Sequence, residues 1–211
     1  VIKGYADLIV DGTFGEPTNE IKDAGSKIKI STDRAFKIID ELLDYNSLMV
    51  GHMNHKVEII QLNNFLKNQF KNYESAASIK KLSFTFLASP KELNVKIDPS
   101  HLEHIVDNLI DNAIKYTEIG KVEVSTKIDS SGDYVILEVS DTGKGIPSEI
   151  LDTVFLPFER DPRHAHDAKG MGLGLAVAKK LAEINGCKLW AKSGGIGKGA
   201  VFYLKIPLLL R

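Results

Sequence analysis

Asn108, Asn112 and Lys115 recur at i, i+4 and i+7 within residues 107–117, so a helix there would set all three on one face. Leu109, Ala113 and Tyr116 would fall on the neighbouring face and suit a core. Asparagine is a poor helix former because its amide competes for backbone hydrogen bonds. Two of them beside a lysine read either as a polar surface stripe or as a site facing a charged ligand. Glycine adds a second signal. Ten of the 17 glycines lie at or beyond Gly143, in clusters, as where backbone must approach a ligand or adopt positive φ. Asp141-Thr142-Gly143-Lys144-Gly145 follows a strand pattern, and Gly170-Met171-Gly172-Leu173-Gly174 runs into a helix pattern. A glycine turn feeding a helix N-terminus presents N–H groups and the positive dipole end, which suits phosphate. Neither cluster fits the P-loop, the dinucleotide fingerprint or the eukaryotic-type protein-kinase set.

The elements that must hold these residues follow from periodicity and punctuation. Residues 1–10 read as the end of a helix, and 11–17 as a turn. From Thr18 a long helix carries Ile21, Ala24, Ile28, Ala35, Ile38, Leu42, Tyr45 and Met49 at alternating spacings of three and four, over about four heptads broken at Ser31. A hairpin with that stripe cannot bury it alone, so a dimeric four-helix bundle is expected, with packing on its own domain as the alternative. The expected division is a helical hairpin at 1–50, a linker at 51–57 and an α/β domain at 58–211. In that domain strands are predicted at 56–62, 82–87, 93–97, 121–128, 134–139, 188–192 and 200–208. Helices are predicted at 64–78, from the cap Asp98 to Tyr116, from Pro147 to about Val154, and at 171–185 before Gly186. His52 and His55 read as linker histidines, His104 as a surface histidine, Asp107 and Asp111 as solvated, and Trp190 with the other aromatics as core.

Composition narrows the classes. Lysine plus arginine number 27 against 28 acids, which gives no overall electrostatic case for nucleic acid. A single cysteine, Cys187, rules out an internal disulfide framework and fits a reducing compartment. No apolar run reaches membrane-spanning length, so no membrane contact is expected of these residues. The opening inside an apolar-periodic stretch reads as a piece of a longer protein.

In order, the asparagine helix, Asp141-x-Gly-x-Gly, Phe155-x-x-Phe158, Gly170-x-Gly-x-Gly and Gly197-x-Gly199 resemble the N, G1, F, G2 and G3 boxes of the GHKL ATP-binding domain of bacterial-type sensor histidine kinases. The resemblance covers essentially the whole chain. It implies an α+β, two-layer sandwich of the Bergerat type behind a dimerising hairpin. It also implies ATP and Mg2+ as ligands, and a homodimer that passes phosphate to a response-regulator receiver domain. By resemblance, Asn112 would coordinate the magnesium. Asn108 and Lys115 would meet phosphate, Tyr116 would flank the nucleotide, and Asp141 would accept from the adenine amine. Gly143 and Gly145 would let the turn approach the base, with Ile146 and Leu173 also in contact. Phe155 and Phe158 would hinge a lid, Gly170, Gly172 and Gly174 would offer amides to the phosphates, and Arg160 would act beside Asn108 and Lys115 in catalysis. Arg163 and Lys169 read equally as lid cations or as a solvated loop face. Met171 departs from the small or hydroxyl residue usual in its box.

In hydrolytic GHKL ATPases a glutamate stands where this chain has Asn108, and an amide cannot serve as a general base. The resemblance therefore implies phosphoryl transfer to a histidine, in a cytoplasmic kinase core. The family's His-Glu/Asp-Leu-Arg-type acceptor motif does not occur in these residues. A degenerate ATP-binding regulatory module stands as the alternative, with a hydrolytic ATPase behind it.

Overall fold

The structure is a computed structural model, and it describes residues 1–50, 55–159 and 171–209. Two helices come first, α1 (Ile2–Val10) and α2 (Asn19–Val50). Then follow β1 (Glu58–Gln61), α3 (Leu62–Ile79), β2 (Ser83–Leu87), β3 (Asn94–Ile97), α4 (Pro99–Tyr116), β4 (Lys121–Ile128) and β5 (Tyr134–Asp141). The described chain closes with α5 (Ser148–Leu151), α6 (Gly174–Ile184), β6 (Lys188–Ser193) and β7 (Ala200–Pro207).

Five strands form one sheet in the order β2-β4-β5-β7-β6, parallel only between β2 and β4. The two short strands predicted on either side of Ser89-Pro90-Lys91 do not pair with each other. β2 joins the main sheet, while β3 pairs with β1 in a separate two-stranded ribbon. Alternation along β4, β5 and β7 buries Val122, Val124, Val135, Leu137, Val139, Phe202 and Leu204 on the face that α3, α4 and α6 cover. This is the expected two-layer sandwich.

Trp190 corrects the reading of aromatics as core. Leu189 takes the buried position on β6, so Trp190 falls on the opposite face. There it stacks on Tyr203, its cross-strand partner, with ring centroids 5.1 Å apart. Asp107 is also not simply solvated. It is half-buried, its Oδ1 is buried with no hydrogen-bond partner among the described residues, and burial raises its pKa.

In the hairpin, Gly25 lets α2 close on α1, since a Cβ there would meet Val10 at 2.8 Å. Lys3–Asp33 and Lys29–Asp7 ion pairs, each 2.6 Å, span the two helices. Near the far end of α2, Leu48 is buried and Tyr45 packs against the sandwich core. Asn185, at the C-cap of α6, gathers the segment that follows α2. Its Oδ1 accepts from the Asp98 amide at 3.0 Å and lies 3.1 Å from His55 Nε2. Its Nδ2 donates to the Leu181 carbonyl at 2.8 Å and lies 2.9 Å from His101 Nδ1.

Two helices end in the same Schellman turn. After α6, Gly186 sits at φ 68°, with Gly186 N donating to Glu183 O and Cys187 N to Ala182 O. Cys187 is buried there, and burial pushes its thiol up to about 12. After α3, Lys81 N donates to Ser78 O and Leu82 N to Ala77 O, but the left-handed position, φ 56°, is held by a lysine. An L-residue in that region costs roughly 1–2 kcal/mol. Gly186→Ala should therefore destabilise by about 1 kcal/mol, since nothing crowds a Cβ there. Lys81→Gly should stabilise by less than that, because glycine loses more entropy on folding. Thermal melts of the two variants check both signs.

Candidate functional site

Helix α4 carries the polar stripe. Asp98 caps it, with Oδ1 accepting from Ser100 N at 2.9 Å and His101 N at 3.3 Å, and Pro99 opens the first turn. Leu102, Ile105, Val106, Leu109, Ile110 and Ala113 are buried, which turns Asn108, Asn112 and Lys115 away from the deepest core. All three are half-buried. Asn108 Nδ2 donates to the His104 carbonyl at 2.8 Å, which fixes the amide and points its oxygen at the start of α6. A Cβ at Gly174 would collide with that oxygen, so glycine lets the helix N-terminus come down onto the stripe. His104 thus enters the site through its backbone. Asn112 makes no side-chain hydrogen bond to any described residue.

At the other end of α4 the carbonyls are satisfied by a residue that its sequence position does not announce. Lys80 Nζ donates to Ile114 O at 2.7 Å, Lys115 O at 3.0 Å and Thr117 O at 3.3 Å. Thr117 Oγ1 adds a bond to Ala113 O at 2.7 Å. Lys115 Nζ lies 4.9 Å from the centre of the Tyr116 ring.

The Asp141 turn packs against this end. Gly143 lies so close to the Tyr116 carbonyl that any Cβ would clash, and the next amide, Lys144 N, donates to that carbonyl at 3.1 Å. Asp141 is buried on β5, and its Oδ1 accepts from Gly143 N at 2.8 Å and Ala200 N at 3.3 Å. One oxygen therefore holds the first and the last glycine loops together. Ser193, which sequence reasoning did not single out, does the same nearby. Its Oγ accepts from Ile146 N at 3.0 Å and Gly195 N at 3.2 Å, and donates to Gly199 O at 2.7 Å. Ile146 is buried beside them.

The two phenylalanines of Phe155-x-x-Phe158 separate in character. Phe155 packs on the core, edge-on to Phe202 at 6.3 Å. Phe158 is 56% exposed and sits at φ 64°, an unusual conformation for a bulky residue. Its amide donates to Gly172 O at 3.1 Å. Leu173 is fully buried, so its side chain belongs to the core and only its backbone borders the turn. Arg160, Gly170, Arg163 and Lys169 lie outside the described residues. The described candidates form one continuous wall, from Asp141, Gly143 and Tyr116 at one end to Asn108 and Gly174 at the other. Eight residues of α4 separate those ends, about 12 Å of helix.

Burial raises the pKa of Asp141, outweighing the two amide bonds that would lower it. The folded state thus binds this proton more tightly than the unfolded chain, and the ionised carboxylate costs stability at neutral pH. Asp141→Asn, which keeps an acceptor for both amides, should melt higher than the parent at pH 7 without ligand. The advantage should shrink as pH falls through the raised pKa, and vanish below the ordinary value of 3.8. Melting temperatures of both proteins across that range test it.

The family profile described as histidine kinase-, DNA gyrase B- and HSP90-like ATPase matches residues 97–210. The sensor protein SrrB of Staphylococcus aureus (strain N315) is 31% identical over 208 residues, 98% of this chain and 35% of SrrB. The chain thus spans about a third of that relative. Among solved structures, full-length ShkA in complex with AMPPNP superposes with a TM-score of 0.82 at 22% identity, over 100% of this chain and 43% of ShkA. Histidine kinase ThkA in complex with response regulator protein TrrA does so at 0.72 and 22%, over 98% and 59%. At that identity the two structures speak for the fold, while the profile covers more than half of the chain and includes both ends of the wall. The chain belongs to the histidine kinase-, DNA gyrase B- and HSP90-like ATPase family.

Proposed function

We propose that this chain is the ATP-binding kinase core of a sensor histidine kinase, acting in the cytoplasm as a homodimer. The observation that carries the reading is the descent of α6 onto Asn108. It joins a helix N-terminus, suited to phosphate, to an amide where a hydrolytic enzyme would need a carboxylate. ATP would lie along the wall, with its base at Asp141 and its phosphates near Gly174. Asp141 would accept from the adenine amine while its Oδ1 stays bound to Gly143 and Ala200. Lys115, held beside Tyr116, would neutralise phosphate charge.

A magnesium ion fits the residues present. Asn112 offers a hard amide oxygen that no described residue engages, within reach of a phosphate-binding helix end. Among the described residues no group of three or more His, Cys, Asp or Glu could hold a metal, so the remaining ligands would come from phosphates and water. When bound, the ion would offset phosphate charge. In the transfer, the bond from the γ-phosphorus to the β–γ bridging oxygen breaks, a bond to an imidazole nitrogen forms, and ADP leaves. The protein's part is to position the reactants and keep water unactivated. The phosphohistidine would then donate to an aspartate of a response regulator, as the ThkA complex with TrrA supports.

The dimer is supported by apolar surface that the single chain leaves uncovered on α2. Ile21, Ile28, Phe36, Ile39 and Leu43 are each at least 43% exposed. A four-helix bundle would bury them. Among the described residues no helix is long and apolar enough to cross a membrane.

Two experiments test the proposal. With the complete protein, γ-labelled ATP should label a histidine in a magnesium-dependent way, and Asn112→Ala should reduce labelling by two orders of magnitude or so. Tight ATP binding without labelling would establish the regulatory-module alternative, and brisk release of free phosphate the hydrolytic one. Ile28→Asp combined with Ile39→Asp should convert the dimer to monomer by light scattering, while nucleotide affinity stays within about twofold.

A further inference from the structure

The main sheet ends in two edges of opposite character. On β6, Lys188 and Lys192 stand within the strand, the kind of charge that keeps an open edge from pairing with another chain. β2 reads Ser83-Phe84-Thr85-Phe86-Leu87, without charge, proline or glycine. One hydrogen bond sets its directions. Ser83 N donates to Gly120 O at 3.0 Å, so Ser83, Thr85 and Leu87 turn their backbone groups toward the β4 side. By alternation the N–H and C=O of Phe84 and Phe86 project from the free edge. Among the described residues nothing bonds to them.

Alongside this edge runs an open groove, bounded by the end of α3 and lined by Glu74, Ala77, Ser78, Lys81, Leu82 and Phe84. Phe70 of α3 stacks on Phe84 at 4.0 Å and so fixes the floor beside it. Lys67, Lys71, Glu74 and Ser78 share one face of α3 by their spacing, and all are exposed. With Lys81 they set three cations against one acid, on a chain whose net charge is −1. Lys81 is also the residue kept at a left-handed turn position where Gly186 serves the matching turn without strain.

We infer that this groove docks an extended acidic peptide, which adds as a strand to β2 through Phe84 and Phe86 and turns acidic side chains toward Lys71 and Lys81 of the α3 side. Strand addition takes affinity from main-chain hydrogen bonds and specificity from alternate side chains. The free edge groups and the helix wall supply the first, and the cations supply the second: Lys81 lines the groove opposite Glu74, and Lys67 and Lys71 continue the same α3 face beyond its lining.

The test uses the intact protein and a short fluorescent peptide alternating glutamate with threonine. Saturable binding is expected, with NMR amide shifts centred on Phe84 and Phe86. Binding should weaken about tenfold or more when alternate amides are N-methylated, or when lysine replaces glutamate in the peptide. The double variant Lys71→Glu with Lys81→Glu, both exposed positions, should reverse the preference between the two peptides. Absence of saturable binding would overturn the inference. So would indifference to N-methylation, or shifts confined to α1 and α2 or to the glycine turns.

Discussion

The site rests on one approach, that of the first residue of α6 to the Asn108 carboxamide. A helix N-terminus has four backbone N–H groups without intrahelical partners, and their value to a phosphate depends on where the helix is allowed to stop. Here it stops against an amide that is itself held by the preceding turn of α4. Any side chain at Gly174 would displace either the helix or the Asn108 amide and so break this approach. The rest of the sandwich keeps the two helices in that relation. α4 lies on β5, α6 lies on α4, and β6 and β7 close the sheet beneath them.

Around that contact the protein holds several groups in unfavourable states. Asp141 is ionisable and buried, Asp107 has an oxygen that no described residue engages, and Phe158 stands in left-handed backbone space. Only Asp141 and Phe158 border the glycine turns. A carboxylate kept dry is a stronger acceptor than one in water, so in the proposed role the destabilising burial of Asp141 would also sharpen its preference for a donor. The cost is spread over a core of Leu, Ile and Val that is almost wholly buried.

How legible this was depends on the range of the interaction. The stripe on α4, the cap at Asp98 and the Gly186 stop are local and periodic, and each stands where the pattern put it. The glycine turns were visible as clusters, and their order identified the family. What could not be read were partnerships across long stretches of chain. Lys80 caps a helix whose C-cap lies 37 residues later, Ser193 reaches an amide 47 residues back, and Asn185 reaches back to His55. A lysine, a serine and an asparagine carry no spacing signal for such work. Trp190 was misplaced for another reason. Size says core, but strand parity decides the face, and parity on β6 was fixed by Leu189.

The Schellman turn after α6 has a chemical corollary. Cys187 is the chain's single thiol, buried beneath that turn, with its ionisation pushed up to about 12. At neutral pH roughly one thiol in a hundred thousand is then the reactive anion. Weak acidity and burial thus both slow its reaction with oxidants and alkylating reagents. The residue is silent while the corner where α6 meets β6 stays shut, and becomes an ordinary thiol when that corner opens. Its modification rate is accordingly a clock for local unfolding at the end of the helix opposite Gly174.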